Sequence, residues 1–217
     1  IQSNLDCEIL MIDIDQKRLE GQVMDLSHST SFSDKVSIRI GDYSEIEDND
    51  IVVICAGYPQ KPGESRLDLV DRNSVIVKDI IGKVVQQGKD IYILIATNPV
   101  DVLTYTALLE SRLNRKRVFG TGTCTDTARL HEYIKKNFNV GFSDFEAYFI
   151  GEHGQSGFVS QSLLKIPDEI RMKIDFSNLD LHLKSAANEI ITRKGATYFG
   201  VGRVISEIVS SIITDSN

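Results

Sequence analysis

Short runs of apolar, mostly β-branched residues alternate along the chain with longer stretches in which apolar residues recur every three or four positions. The short runs are typical of strands covered on both faces, and they occupy residues 9–12, 36–40, 51–56, 91–96 and 117–120. Between them, Leu19, Val23 and Leu26 share one helical face, and residues 70–85 have similar spacing. Strands that alternate with helices predict βαβ units and therefore a parallel sheet.

This pattern changes after about Gly120. The remainder predicts a helix over residues 125–136, a short strand over 147–150, a loop, and two helices between 179 and 211. We therefore predict two domains, residues 1–120 and a smaller one over 121–217. In an open α/β sheet, ligands bind at the carboxyl ends of the strands, which here lead into small or polar residues such as Gly57 and Asn98.

Composition narrows the classes of partner. The 217 residues carry a formal net charge of -7, which argues against nucleic acid or an anionic membrane as the main partner. No apolar run reaches the roughly 20 residues that span a bilayer. The 3 cysteines are odd in number and form no CxxC pair, so neither a disulfide framework nor a zinc knuckle is indicated. No metal is predicted among the site residues. A reducing cytoplasm is the predicted location.

Asp13 is a candidate for binding a cofactor, because it follows the first predicted strand. A carboxylate there can accept hydrogen bonds from both hydroxyls of an adenosine ribose and repels a 2'-phosphate. An acid at this position is also a common helix cap. A dinucleotide fold carries a glycine-rich loop roughly 20 residues before this acid. Because fewer residues precede Asp13, we predict that the first strand and this loop are missing.

Three further segments carry candidate chemistry, and each has a simpler alternative. The segment 57–66 contains two glycines and two prolines and suits a lid, although it also suits a solvated connection. Asp126 and Arg129 share one helical face, which fits either a site or a surface ion pair. His153 lies between glycines, where a ligand can approach closely, but a lone histidine is more often structural.

Taken together, these segments resemble the lactate and malate dehydrogenase family in order and spacing. The matching stretches are Met11-Ile12-Asp13, Asp25-Leu26-Ser27-His28, Ala56-Gly57, Gln60-Lys61-Pro62-Gly63-Glu64, Arg66-Leu67-Asp68-Leu69-Val70, Ala96-Thr97-Asn98-Pro99-Val100-Asp101, Gly120-Thr121-Gly122-Thr123, Asp126-Thr127-Ala128-Arg129, Gly151-Glu152-His153-Gly154 and Lys194-Gly195-Ala196-Thr197-Tyr198. The resemblance implies a Rossmann-type doubly wound parallel sheet followed by a smaller α+β substrate domain. Both would be incomplete, because relatives begin earlier and continue further.

The resemblance also implies roles for individual residues. His153 would exchange the proton with a small 2-oxoacid. Asp126 would hold the imidazole in its orientation and favour its protonated form. Arg129 would bind the substrate carboxylate, and Arg66 would polarise the reacting carbonyl. Asn98 and Thr197 would also contact substrate. The cofactor would be NAD, and the residues placed near it are Asp13, Arg18, Tyr43, Gly57, Tyr58 and Thr97.

Gln60 bears on the choice of substrate. In this family the position is typically Gln in lactate enzymes and Arg in malate enzymes, because the second carboxylate of oxaloacetate needs a countercharge. Gln60 therefore favours pyruvate, with malate dehydrogenase as an alternative. Gln155, where relatives commonly have Asp, leaves room for a hydroxyisocaproate-type enzyme of broader range. An inactive binding module of the same fold is a further alternative. The resemblance implies a homo-oligomer, a dimer or a tetramer.

Overall fold

The computed structural model of the chain describes residues 5–32, 34–59 and 66–215, apart from the side chains of residues 66 and 67. The described residues form two compact units. The first runs to Gly120 and also includes the segment from Ser206 onward, and the second is Thr121–Ile205. The first unit thus breaks at the residue where the sequence pattern changes. The segment from Ser206 onward belongs to the first unit, whereas the sequence predicts that the second domain continues to Asn217.

Strands and helices alternate through the first unit. In chain order its elements are β1 (Cys7–Met11), α1 (Gln16–Thr30), β2 (Val36–Ile40), β3 (Ile51–Ile54), α2 (Arg66–Val85), β4 (Tyr92–Ile95), α3 (Val100–Ser111) and β5 (Val118–Gly120). β1 pairs in parallel with β2, and β4 lies between β3 and β5, again in parallel. The predicted parallel α/β arrangement is therefore confirmed.

The core of the first unit lies where α2 and α3 pack beside β4. Ile93 and Ile95 of β4 are fully buried, as are Val77 and Ile81 of α2 and Leu103 of α3. Burying side chains of this size stabilises a fold by roughly 1.5–3 kcal/mol each. β4 and the helices beside it therefore give the carboxyl ends of β3 and β4 a rigid base.

β1 and β2 are more exposed than the sequence pattern predicts. Ile9 and Ile40 are 36% and 40% exposed, so the prediction that these strands are covered on both faces is wrong. Within the residues that the structure describes, β1 pairs along one edge with β2, and the nearby helix is α1. One neighbouring strand and one helix leave more of the apolar surface of β1 exposed than remains exposed on β4, which lies between two strands and beside two helices.

The second unit packs helices around a small antiparallel pair of strands. Its elements are α4 (Cys124–Phe138), β6 (Phe149–Ile150), β7 (Phe158–Val159), α5 (Asp168–Arg171), α6 (Phe176–Lys194) and the first part of α7 (Phe199–Thr214). Its core contains Leu130, Ile134, Phe149, Leu179 and Leu183. None of the helices in the described parts of the chain combines the length and apolar character that crossing a membrane requires.

Candidate active site

Helix α4 carries a carboxylate on its buried face. Asp126, Leu130 and Ile134 follow one another at intervals of four residues, and all three are buried. Leu130 and Ile134 pack into the core of the second unit. The helical repeat therefore brings Asp126 inward with them. A carboxylate in such a place is stable when charged or polar partners meet both of its oxygens.

Two basic side chains contact the Asp126 carboxylate, one on each oxygen. His153 Nδ1 lies 2.5 Å from Asp126 Oδ2, and Arg129 Nη1 lies 2.8 Å from Asp126 Oδ1. Because an ionised carboxylate can only accept, His153 Nδ1 carries the proton in this contact. The Asp126 side chain is 7% exposed, against 21% for His153 and 18% for Arg129. The predicted pairing of Asp126 with the imidazole is thus present, and the Asp126–Arg129 ion pair is buried rather than superficial.

A tight turn after β6 presents His153. Gly151 has a φ of +94°, a conformation that side-chain-bearing residues rarely adopt. Gly157 packs so closely that a Cβ there would lie 2.4 Å from the Glu152 carbonyl oxygen and 2.3 Å from Cε1 of Phe149. The Gly154 amide donates to the Glu152 carbonyl at 2.8 Å. The residues on either side of His153 are therefore fixed by backbone packing.

Thr127 joins α4 to the strand that leads into this turn. Its hydroxyl accepts from the Phe149 amide at 3.1 Å and lies 3.3 Å from the Phe149 carbonyl oxygen, to which it donates. Since Asp126 precedes Thr127 and His153 follows Phe149 closely, this double contact sets the register between carboxylate and imidazole. No sequence motif indicated this role for Thr127.

In the first unit, Asp13 is an exposed acid beyond the end of β1. Its Oδ1 accepts from the Asp15 amide at 2.9 Å. The N-cap of α1 is Asp15, whose Oδ1 accepts from the Arg18 amide at 3.1 Å. The alternative in which Asp13 caps the helix therefore does not hold. Arg18 lies in the first turn of α1 with an exposed side chain.

The ends of β3 and β4 meet at Gly57. A Cβ on Gly57 would lie 2.4 Å from the methyl group of Thr97, so this position accepts only glycine without a shift of its neighbour. The Thr97 hydroxyl is buried and lies 2.8 Å from the Ala56 carbonyl oxygen, to which it donates. Tyr58 follows with a side chain that is 56% exposed.

The remaining predicted residues occupy varied places. Tyr43 is half-buried against the first unit's core, where burial raises the pKa of its hydroxyl. Asn98 has an exposed side chain just beyond β4, and Thr197 is half-buried in the turn between α6 and α7. Gln60 and the side chain of Arg66 lie outside the described residues.

Asn73 on α2 was not among the predicted site residues. It is 0% exposed, and its side-chain amide contacts the backbone of both Tyr58 and Asn98. The sequence does contain a signal for it. Leu69, Asn73, Val77 and Ile81 form one stripe at four-residue spacing, and an amide within an aliphatic stripe requires a polar partner.

The residues of the first unit fit one part of a nicotinamide dinucleotide. Asp13 offers an exposed carboxylate, which suits ribose hydroxyls because these need an acceptor. The Gly57 backbone carries no side chain that would obstruct a ligand. For metals the finding is different: across residues 5–32, 34–59 and 66–215, no three His, Cys, Asp or Glu side chains are grouped so that they could hold an ion.

Comparison with known protein families gives matches over nearly the whole chain. Residues 1–120 match the lactate/malate dehydrogenase NAD binding domain, and residues 123–217 match the lactate/malate dehydrogenase alpha/beta C-terminal domain. Together with the parallel unit and the histidine site, these matches define the class of protein as a nicotinamide-dependent oxidoreductase. The chain belongs to the lactate/malate dehydrogenase family. The resemblance predicted from the sequence motifs is confirmed.

Individual relatives agree with this assignment. The chain is 40% identical over 221 residues to L-lactate dehydrogenase 1 of Bacillus cereus (strain ATCC 10987 / NRS 248), covering 97% of this chain and 70% of the relative. It is 41% identical over 227 residues to the L-lactate dehydrogenase of Borrelia turicatae (strain 91E135), covering 100% and 72%.

Solved structures show the same fold. MGS-M5, a lactate dehydrogenase enzyme from a Medee basin deep-sea metagenome library, superposes with a TM-score of 0.90 at 38% identity, covering 100% of this chain and 72% of that one. The minor L-lactate dehydrogenase of Enterococcus mundtii, in a ligands-bound form, gives a TM-score of 0.86 at 37% identity, covering 93% and 68%. The predicted fold class, a Rossmann-type doubly wound parallel sheet followed by a smaller α+β domain, is confirmed.

Proposed function

We propose that the protein is an L-lactate dehydrogenase, which interconverts pyruvate and L-lactate with NADH and NAD⁺. The observation that carries the proposal is the buried Asp126 carboxylate, with His153 Nδ1 on one oxygen and Arg129 Nη1 on the other. Relatives named L-lactate dehydrogenases, about 40% identical to this chain, support the choice of reaction.

His153 holds the proton that the reaction needs. With Nδ1–H donated to Asp126, the opposite ring nitrogen, Nε2, is the atom that gives a proton to the developing alkoxide and takes one back in the reverse direction. Asp126 fixes the ring orientation and stabilises the imidazolium form by its charge. The proton that is transferred is therefore held on one defined atom, Nε2 of His153.

Arg129 binds the carboxylate of the 2-oxoacid. A guanidinium has five N–H donors, and the hydrogen bond to Asp126 leaves donors for a bidentate contact with substrate. Arg66 polarises the reacting carbonyl, Asn98 hydrogen-bonds the same region, and Thr197 and Gln60 limit the substrate's side chain. These assignments follow the family pattern.

NAD is the cofactor of this proposal, and when bound it supplies or accepts the hydride. Asp13 would bind the adenosine ribose, and the backbone at Gly57 and Tyr58 would lie along the dinucleotide, with Arg18, Tyr43 and Thr97 nearby. We also propose a homo-oligomer, a dimer or tetramer as in the family, and a cytoplasmic location, which three free cysteines support.

The test is pyruvate-dependent oxidation of NADH by the purified protein, followed by absorbance. We expect turnover by the wild type and its loss in His153→Ala. His182→Ala is the matched control, because His182 is another histidine of the same unit and its ring packs against Tyr133. Wild-type protein that binds NADH but never turns over pyruvate or another 2-oxoacid would instead support a binding module.

A further inference from the structure

Asn73 connects the ends of two neighbouring strands through its side-chain amide. Its Oδ1 accepts from the Tyr58 amide at 2.8 Å. Its Nδ2 donates to the Asn98 carbonyl at 2.8 Å and to the Tyr58 carbonyl at 3.2 Å. Tyr58 lies beyond the end of β3 and Asn98 beyond the end of β4, and these strands are hydrogen-bonded to each other. One buried side chain thus holds both strand-end segments.

The burial of Asn73 shows that these contacts are specific. The residue is 0% exposed and lies between Leu69 and Val77, which are buried on the same face of α2. A buried amide is unfavourable unless its donors and acceptor are paired, and here both donor directions and the oxygen have backbone partners. The Asn73 amide also contributes to the wall against which Gly57 packs, where an added Cβ would lie 3.2 Å from Nδ2.

We propose that Asn73 is a positioning residue for catalysis, which sets the spacing between the cofactor-side backbone at Gly57 and Tyr58 and the substrate-side Asn98. This inference rests on the proposed function, because that function assigns Tyr58 to NAD and Asn98 to the 2-oxoacid. With its main-chain carbonyl held by Asn73, the exposed Asn98 side chain projects from a fixed point. Displacements of about 1 Å at such a point can reduce a rate by about 100-fold.

No other residue type of this size offers the same set of contacts. Leucine fills a similar volume but leaves the Tyr58 amide and the two carbonyl oxygens without their side-chain partner. Aspartate has the same shape but turns a second oxygen toward two carbonyl oxygens. Serine retains one donor and one acceptor on a shorter side chain, so it can satisfy part of the set.

The experiment compares Asn73→Leu and Asn73→Ser with Val77→Ala as the matched control. Val77 is fully buried one turn further along α2, so its truncation destabilises the same core without touching Tyr58 or Asn98. Tm is measured for each variant, and two further quantities are measured at a temperature where every variant is folded: hydrogen exchange at the Tyr58 amide, and steady-state kinetics with pyruvate and NADH.

In Asn73→Leu we expect Tyr58 exchange to accelerate by at least about tenfold relative to the wild type, because its acceptor is removed. We expect kcat/KM for pyruvate to fall by about tenfold to a hundredfold, with most of the loss in kcat. Asn73→Ser should be intermediate in both quantities. Val77→Ala should lower Tm while leaving Tyr58 exchange and kcat/KM near wild-type values.

Failure of this inference is distinguishable from failure of the proposed function. Wild-type protein without pyruvate turnover contradicts the proposed function, and Tyr58 exchange then decides alone whether Asn73 fixes this segment. If Asn73→Leu does not fold, Asn73→Ser provides the comparison. The positioning role is overturned if kcat/KM falls no further in the Asn73 variants than in Val77→Ala.

Discussion

Asp126 occupies a position on α4 where a helix normally places an aliphatic side chain. Burying an unpaired carboxylate costs several kcal/mol, so the position is tolerable because His153 and Arg129 each meet one oxygen. A buried ion pair can often be replaced as a whole by well-packed apolar residues of similar volume without loss of stability. The charge at this position is therefore better explained by the chemistry of His153 than by stability.

We predict that Asp126→Asn lowers kcat by about 100-fold or more, in the range by which general acid–base groups contribute. The amide has the shape of the carboxylate but lacks the charge that stabilises the imidazolium, and it can orient the ring in the wrong tautomer. Steady-state kinetics with pyruvate measures this loss. Glu132→Gln is the matched control, since Glu132 is an exposed acid on the same helix. Equal kcat in Asp126→Asn and wild type would remove Asp126 from the mechanism.

Arg129 gives a second prediction at the level of single residues. Lysine retains the positive charge but replaces the planar set of donors by one ammonium group, which cannot contact Asp126 and both oxygens of a substrate carboxylate. We expect Arg129→Lys to raise the pyruvate KM by at least about tenfold, corresponding to about 1.4 kcal/mol, while the dissociation constant of NADH stays unchanged. Lys135→Arg, an exposed exchange on the same helix, should change neither. A variant whose NADH affinity falls as much as its pyruvate affinity would contradict this role.

At the scale of elements, the site depends on the turn between β6 and β7. This turn brings Gly157 back against Phe149 and against the carbonyl of Glu152, with distances that exclude a Cβ. Thr127 holds the same strand from the α4 side. Helix and turn are therefore fixed to each other by the Thr127 hydrogen bonds and by the close packing at Gly157, and these contacts set the position of His153.

We predict that Gly157→Ala lowers the free energy of unfolding by about 1–3 kcal/mol, because overpacking forces the neighbouring atoms to shift. It should also lower kcat, since the displaced Glu152 precedes His153. Gly82→Ala is the contrasting control: Gly82 lies inside α2 and an added Cβ meets nothing within 4 Å. That exchange should raise stability by roughly 0.5–1 kcal/mol and leave kcat unchanged. Denaturant unfolding and kinetics provide both measurements, and a fully active, equally stable Gly157→Ala variant would disprove the account of the turn.

At the scale of the whole molecule, the sequence predicted the features that depend on periodicity and on local motifs. The alternation of strands and helices predicted the parallel sheet, and His153 does lie beside Asp126, which is distant in sequence and which also pairs with Arg129 on its own helix. Contacts between a side chain and a distant backbone group were not predicted. Asn73 with Tyr58 and Thr127 with Phe149 are of this kind, because neither partner's sequence neighbourhood specifies the other.

We expect substrate choice to respond to long-range electrostatics as well, because the net charge of -7 on the 217 residues acts on every approaching anion. Oxaloacetate carries one more negative charge than pyruvate, so the protein's field opposes it more strongly. A local cation is then needed to reverse the preference, and Gln60, which lies outside the described residues, is neutral. Low ionic strength should accentuate the difference, since screening is weakest there.

We therefore predict that Gln60→Arg raises the ratio of kcat/KM for oxaloacetate to that for pyruvate by at least about tenfold, because a guanidinium pairs the second carboxylate. Gln60→Leu is the control, since it changes polarity without adding charge and should not improve the use of oxaloacetate. A substrate panel with pyruvate, oxaloacetate and 2-oxoisocaproate measures all three ratios in each variant. If the wild type prefers the branched acid, Gln155 outweighs Gln60 and the hydroxyisocaproate-type alternative is correct. If it prefers oxaloacetate, a countercharge must come from another residue, and charge at position 60 does not determine specificity in this protein.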